Sequence, residues 1–196
     1  MNKKEVTDFF DNLADSWDSG MVKTESIINE ILDAADVTQG KTVLDVACGT
    51  GVLIPDYIKR NVNKCVAVDI SEKMLEIAKE KFSKYDNIEF LCADAENLCL
   101  QEKFDCAVIY NAFPHFINSD CLFRSLSDCL KPDGRLTVAH GMSREALMKH
   151  HSGRAENVSV PLPEAKEMAE MMKPYFDADI IKSTDSVYIV SAKKHL

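Results

Sequence analysis

The sequence predicts an α/β fold in which helices cover both faces of a mainly parallel sheet. One observation is that short apolar runs rich in β-branched residues alternate with segments of helical periodicity between residues 42 and 140. Another is that only residues 184–186 separate the last two runs, so these two strands are antiparallel, because a parallel crossover needs about a dozen residues. We expect one domain over residues 1–196, with a helical segment at 1–38 and the sheet at 39–196.

Two helices are predicted ahead of the sheet. Apolar side chains fall at helical spacing in residues 6–17, with acidic residues between them. Isoleucine and leucine form one stripe in residues 24–35, and Gly20 separates the two segments. The turn at 39–41 then leads into the sheet.

The remaining elements follow in order. Buried strands are predicted at 42–47, 64–70, 88–92, 104–110 and 135–140. Helices are predicted between them at 52–60, 71–85 and 120–130, and Lys131-Pro132-Asp133-Gly134 predicts a turn. A helix at 163–173 and strands at 179–183 and 187–192 complete the prediction, and residues 141–163 are expected to be a long connection.

The composition argues against several classes of function. A net charge of -9 disfavours a nucleic-acid surface, which needs a basic face, and favours a small-molecule partner. The 7 cysteines include no Cys-x-x-Cys pair, which indicates free thiols in a reducing cytoplasm and disfavours a structural zinc site. No apolar run reaches the roughly 18 residues of a membrane span. We expect a cytoplasmic monomer or homodimer.

A glycine loop at residues 45–51, Asp-Val-Ala-Cys-Gly-Thr-Gly, joins the first strand to a helix. Glycine permits positive φ and lets a ligand approach the backbone closely. A dinucleotide site would have a third glycine where Ile54 stands, so a pyrophosphate ligand is disfavoured. Asp45 would also repel a pyrophosphate, but it suits a cationic ligand such as a sulfonium that carries an ammonium group.

Two further acids follow the next two strands. Asp69 ends the second strand, where doubly wound folds place a carboxylate that binds ribose hydroxyls; the less favoured alternative is that it only helps to cap the helix at Ser71. Asp94 follows the third strand, where a carboxylate can accept from an adenine amine, although an acid there is often only a turn residue. Because parallel strands end at one edge of a sheet, we expect these acids to share a site.

Together these segments resemble the class I S-adenosylmethionine-dependent methyltransferases. The resemblance rests on residues 43–51, 68–75, 94–95 and 130–134, and the pattern of Phe9-Phe10-Asp11, Ala14 and Trp17-Asp18 is similar to the quinone C-methyltransferase branch. It covers residues 5–140 and is specific for the cofactor rather than for the acceptor. It implies a Rossmann-like sheet of seven strands, the last antiparallel, with an N-terminal helical lid and S-adenosylmethionine as cofactor.

The resemblance also implies roles for individual residues. The glycine loop would contact the methionine part of the cofactor, Asp69 the ribose and Asp94-Ala95 the adenine. Asn111 would lie near the reactive methyl group, and Phe10 and Trp17 would belong to the lid. The expected cofactor-binding residues are Asp45, Ala47, Gly49, Thr50, Gly51, Asp69, Ile70, Met74, Asp94, Ala95, Asn111 and Trp17.

Histidines are the candidate catalytic residues. His115 follows the fourth strand and His140 ends the fifth, so either is placed to act as a base toward an oxygen, nitrogen or sulfur acceptor. Two alternatives stay open: the histidines only orient the substrate, or His140, His150 and His151 hold a divalent metal. The expected substrate-binding residues are Phe10, Tyr110, Phe113, His150 and His151.

The acceptor itself is left open by the sequence. A small molecule is favoured by the negative charge, and a protein or RNA acceptor is the alternative within the same family. A non-catalytic cofactor-binding protein is a third hypothesis. An NAD-dependent oxidoreductase is a fourth, disfavoured by Ile54.

Overall fold

The computed structural model describes residues 1–20, 22–151 and 155–195. Its strands are β1 (Thr42–Val46), β2 (Lys64–Asp69), β3 (Ile88–Cys92), β4 (Phe104–Tyr110), β5 (Leu130–His140), β6 (Phe176–Ser183) and β7 (Tyr188–Lys194). Its helices are α1 (Lys3–Leu13), α2 (Glu25–Ala34), α3 (Ile54–Lys59), α4 (Glu72–Phe82), α5 (Ser119–Cys129), α6 (Arg144–His151) and α7 (Ala165–Met172). Single 3₁₀ turns lie at Ala14–Ser16, Ala95–Asn97, Phe113–His115 and Glu156–Val158.

Within these described ranges the strands form one seven-stranded sheet, in the order β3-β2-β1-β4-β5-β7-β6. Strands β1 to β5 pair in parallel, whereas β7 runs antiparallel to both β5 and β6. The predicted α/β sheet with an antiparallel last strand is therefore confirmed. The chain connections reverse direction at β1, whose neighbours are β2 and β4, and this arrangement opens a crevice at the carboxyl ends of the three strands.

Local sequence accounts for where the helices begin. Asn2 and Glu5 form a reciprocal capping box at α1, in which each side chain accepts a backbone N–H of the other residue. Ser71 caps α4 through the N–H of Met74, and Asn118 caps α5 through the N–H of Cys121. In the described part of the chain, no helix has the length and apolar character that a membrane span requires.

Apolar side chains on both faces of the sheet pack against helices. Along β1, Val43 faces one cluster and Leu44 the other, because successive strand residues point to opposite faces. The first cluster is completed by residues of α2, α3 and α4, and the second by residues of α5 and α7. Helices therefore cover both faces of the central strands, and a ligand can reach them only at an edge.

Two segments differ from the sequence prediction. Phe104 of β4 pairs with Leu130, and Cys106 pairs with Arg135, so residues 131–134 bulge out within β5 opposite a single residue. The predicted turn is thus part of a strand, with Asp133 at a φ of 59°. Residues 144–151, expected to be part of a connection, form α6. Most residues of α6 are polar, and Leu147 is the apolar residue that the helix buries. The sequence therefore shows no apolar stripe at helical spacing in this segment.

Candidate functional site

A cavity of about 380 Å³ lies at the carboxyl ends of the central strands. Residues that follow four successive strands of the sheet line it: Ala47, Cys48 and Gly49 after β1, Asp69 and Ile70 at β2, Ala93 to Glu96 after β3, and Tyr110 to Ala112 at β4. Residues of α1 and of the segment up to Lys23 close it from above. The cavity is large enough for a nucleotide-sized ligand.

The strands that flank the crevice both end in a left-handed backbone conformation. Ala47 after β1 has a φ of 56°, and Asn111 after β4 has a φ of 54°. Asn111 is held there by two hydrogen bonds, since its N–H donates to the carbonyl of Ala139 and its Oδ1 accepts the N–H of Gly141. Non-glycine residues with positive φ are uncommon and cluster at functional sites. The two strand ends that line the cavity are therefore strained and fixed.

The two glycines of the loop have different tasks. Gly49 (φ 55°) lines the cavity, and an added Cβ would meet only the indole nitrogen of Trp17, at 3.8 Å. Gly51 (φ 86°) lies away from the cavity, and an added Cβ would lie 2.8 Å from both Ile54 and Phe82. Gly49 thus leaves room for a ligand, whereas Gly51 lets α3 and α4 pack together.

We expect Gly51→Ala to destabilise the protein by about 3 kcal/mol, because it adds overpacking to an unfavourable positive φ. Gly40→Ala is the matched control, since Gly40 also has a positive φ of 81° but has no atom within 4 Å of an added Cβ. Urea unfolding of both variants measures the difference. Equal stability of the two variants would contradict the packing role.

Asp45 is buried beneath the glycine loop. Burial raises the pKa of this carboxyl to about 7, the nearby Tyr57 hydroxyl opposes the rise, and the charge of Asp69 adds to it. Among the described residues, neither Oδ2 of Asp45 nor the hydroxyl of Tyr57 has a hydrogen-bond partner. A buried carboxyl oxygen in this state is suited to a cationic or donor ligand.

Asp69 joins the glycine loop to the start of α4. Its Oδ2 accepts the N–H of Gly49 at 2.7 Å, and its Oδ1 accepts the N–H of Ser71 at 2.9 Å. Burial raises the pKa of Asp69 in spite of these hydrogen bonds. Each carboxylate oxygen has two lone pairs, so each can accept a further donor from a ligand in the cavity. Both expected roles, ligand binding and support of the helix start, are compatible with this geometry.

Asp94 and Glu96 form an acidic pair after β3, and Lys3 of α1 binds both. Lys3 Nζ donates to Oδ2 of Asp94 and lies 3.0 Å from Oε2 of Glu96. Burial alone would lower the pKa of Lys3, but its hydrogen bonds with the two acids outweigh burial and raise it. At Asp94 burial raises the pKa, but the hydrogen bonds from Lys3, Asn97 and the Glu96 N–H, together with the charge of Lys3, outweigh burial and lower it.

Helix α1 and the following residues lie over the cavity. Phe10 and Trp17 pack edge to face with ring centroids 5.4 Å apart, and both line the cavity. The segment is tied to the glycine loop through Asp18, whose Oδ1 accepts the Thr50 hydroxyl at 2.6 Å. It is tied to α4 through Asp11, which accepts the Ser71 hydroxyl. The N-terminal residues therefore form a cover over the cavity.

His115 lies in the wall of the cavity formed by the 3₁₀ turn after β4. Its Nδ1 lies 2.8 Å from the carbonyl oxygen of Val158, and because a carbonyl only accepts, Nδ1 carries the proton and Nε2 is the acceptor nitrogen. Burial lowers the pKa of His115, although the Val158 contact partly opposes this. The imidazole is therefore neutral at pH 7, and Phe10 packs edge to face against it at 4.9 Å.

Most of the residues proposed from the sequence come together at this cavity. Those that line it are Phe10, Trp17, Ala47, Gly49, Asp69, Ile70, Met74, Asp94, Ala95, Tyr110, Asn111 and His115. Asp45, Thr50 and Gly51 are buried within the glycine loop and do not line the cavity, and Phe113 is buried against Phe123.

His140, another candidate histidine, is not at the cavity wall. His140 is fully buried, and its ring packs against Tyr188 with centroids 6.0 Å apart. The side chains of His150 and His151 lie outside the described part of the structure, and so does the metal site proposed for them with His140.

Three charged lining residues were missed by sequence reasoning: Lys3, Glu96 and Lys23. Charged residues in helices and loops are usually solvated, and no local pattern distinguished these three. Their partners explain their positions, because Lys23 binds Asp56 and donates to the carbonyl of Val52 at 2.9 Å. Their positions at the cavity follow only from contacts between segments that are far apart in the sequence.

Comparisons with known proteins agree on one family. A family described as a methyltransferase domain matches residues 43–134. Malonyl-[acyl-carrier protein] O-methyltransferase of Marinomonas sp. (strain MWYL1) is 32% identical over 135 residues, which cover 67% of this chain and 50% of that protein. Ubiquinone/menaquinone biosynthesis C-methyltransferase UbiE of Escherichia coli is 36% identical over 113 residues, which cover 55% of this chain and 45% of that protein. The chain spans about half the length of these curated relatives.

The fold is also similar to that of solved methyltransferases. Magnesium protoporphyrin IX methyltransferase (ChlM) from Synechocystis PCC 6803, solved with bound S-adenosylhomocysteine, aligns with a TM-score of 0.73. The alignment covers 98% of this chain and 99% of that chain at 19% sequence identity. At this level of identity the similarity concerns the fold, and it extends to the residues beyond 140 that the sequence motifs do not reach.

Proposed function

We propose that this chain, which belongs to the class I S-adenosylmethionine-dependent methyltransferase family, transfers a methyl group to a small and largely apolar acceptor. One observation carries the proposal. One cavity is lined both by backbone and acids from the ends of β1, β2 and β3 and by His115 with aromatic side chains. The first set of residues suits the cofactor, and the second set suits an acceptor.

The residues of the first set fit S-adenosylmethionine. Asp45 is buried at the start of the loop expected to hold the methionine part, and its side chain does not itself line the cavity. Gly49 has no side chain at the cavity wall, where an added Cβ would contact Trp17 at 3.8 Å. Asp69 has acceptor capacity for ribose hydroxyls, and Asp94 has it for an adenine amine. When bound, the cofactor supplies an electrophilic methyl group on a positively charged sulfur.

The residues of the second set favour an uncharged acceptor. Phe10, Trp17, Tyr110 and Phe116 contribute aromatic surface to the wall. The lysines that reach the wall are engaged by carboxylates, Lys3 by Asp94 and Glu96 and Lys23 by Asp56. A charged acceptor would have to be desolvated against apolar surface without a matching ion, and this costs several kcal/mol in free energy.

We assign His115 as the general base. Its neutral imidazole presents Nε2 as an acceptor, so it can take the proton from an acceptor O–H, N–H or S–H as that atom gains the methyl group. The Val158 carbonyl fixes the ring orientation and the tautomer. The aromatic wall excludes water and holds the acceptor in place, which supplies the proximity that methyl transfer requires.

Calorimetry with S-adenosylhomocysteine, followed by a transfer assay, tests the proposal. We expect one binding site per chain for S-adenosylhomocysteine and none for NAD. With S-adenosylmethionine present, we expect S-adenosylhomocysteine to form with at least one member of a panel of phenols, amines and thiols. Absence of binding would contradict the cofactor assignment. Binding without product across the panel would contradict transfer to a small acceptor and favour a non-catalytic role.

A further inference from the structure

Glu96 lies at a junction of three parts of the site. It is 5% exposed, in the turn after β3 that also contains Asp94. Its Oε1 accepts the N–H of Ile117 at 2.5 Å and the N–H of Asn118 at 2.9 Å, in the loop that follows His115. Its Oε2 lies 3.0 Å from Nζ of Lys3. One buried carboxylate thus contacts the cover, the expected adenine turn and the loop that carries His115.

Lys3 completes the junction from the cover. It is the residue of α1 that reaches Asp94 and Glu96 together, and its side chain is 39% exposed. A buried carboxylate without a cation would be costly, so Lys3 and Glu96 stabilise each other when α1 lies over the cavity. Lifting α1 away would separate this ammonium from both acids. Moving α1 to open the cavity therefore costs electrostatic free energy, because the contacts of Lys3 with the two acids are lost.

From this geometry we propose that Lys3 and Glu96 are positioning residues that lock α1 over the cofactor and fix the His115 loop at the same time. The proposal rests on the proposed function, since it assumes that S-adenosylmethionine or its product occupies the cavity. Release of the product then requires the contact between Lys3 and the two acids to break. The same contact keeps the acceptor wall in place while the cofactor is bound.

The structure provides a probe for this proposal. Trp17 is the single tryptophan of the chain, it lies in the cover, and it lines the cavity. Its fluorescence should therefore report both binding of S-adenosylhomocysteine and opening of the cover. Displacement of S-adenosylhomocysteine by excess sinefungin in a stopped-flow instrument gives the release rate without any need for turnover.

We expect Lys3→Met to speed release of S-adenosylhomocysteine about ten-fold, the change that 1.4 kcal/mol produces. Lys4→Met is the matched control, because Lys4 is the next residue of α1 and pairs with Asp8 of the same helix. High salt should speed release from the wild type and from Lys4→Met more than from Lys3→Met, since salt screens the ion pairs. Equal release rates for Lys3→Met and Lys4→Met would overturn the proposal.

A second variant tests whether the two residues act together. In Glu96→Gln the amide oxygen can still accept from Ile117 and Asn118, but one of the two charges that hold Lys3 is lost, whereas the contact with Asp94 remains. We expect it to speed release by a smaller factor than Lys3→Met does, and the double variant to be no faster than Lys3→Met alone. Additive effects would overturn the coupling. If the wild type fails to bind S-adenosylhomocysteine in calorimetry, the proposed function fails, whereas normal binding with unchanged release rates refutes only the junction.

Discussion

Asp69→Asn is expected to weaken binding of S-adenosylhomocysteine by about 100-fold, which corresponds to about 2.7 kcal/mol. The asparagine keeps the size of the side chain but removes the charge that strengthens hydrogen bonds from ribose hydroxyls. Its amide group would also face an N–H donor, either that of Gly49 or that of Ser71. Both effects act on the cofactor side of the cavity, so affinity is the quantity that should change most.

Titration calorimetry of the wild type and the variant measures this effect. Glu76→Gln is the matched control, because Glu76 lies on the exposed side of α4 and loses the same charge. Thermal unfolding without ligand shows how much of the change comes from a loosened loop. If Asp69→Asn binds as tightly as Glu76→Gln, Asp69 does not hold the ribose.

His115→Gln is expected to lower kcat at least about 100-fold and to leave the affinity for S-adenosylhomocysteine unchanged, because a positioned base contributes to the transfer step and not to cofactor binding. The pH profile has a definite sign. Burial lowers the pKa of His115 below its usual 6.5, so the base is neutral at pH 7. Wild-type activity should therefore fall only on acidification below about pH 6.5, when the imidazole takes up a proton.

The pH profile of kcat/KM separates a base from a residue that only shapes the wall. The acid limb should vanish in His115→Gln and persist in His195→Gln, the control histidine, which is exposed and lies next to Asp177. An acid limb that survives in His115→Gln would assign the ionisation to another group. A normal rate in that variant would leave His115 with an orienting role.

The fold could be predicted because its signals are local. Each predicted strand is a short apolar run, and the short separation between the last two runs determined their antiparallel pairing. The acids Asp69 and Asp94 were found by the same logic, because a residue at the end of a parallel strand lies at the ligand edge. That rule placed His140 at the site as well, yet His140 pairs with Tyr188 of β7 and is buried.

Contacts between distant segments could not be predicted in this way. Lys3 and Asp94 are 91 positions apart, and nothing in either neighbourhood points to the other. Helix α6 was missed because its polar residues mask a helical period. The part of the site that depends on single strand ends was thus accessible from the sequence, whereas the part that depends on packing of the cover was not.

The cover also has a consequence for how the protein folds. Helix α1 meets the rest of the chain through pairs that are far apart in sequence, 60 positions for Asp11 and Ser71 and 91 for Lys3 and Asp94. Closing such long loops costs conformational entropy. A few contacts can offset this cost only after the segments that α1 contacts have themselves folded. We therefore expect the sheet and its helices to fold first and α1 to dock last. The partly folded state of lowest free energy would then be one in which the sheet and its helices are folded and α1 is undocked.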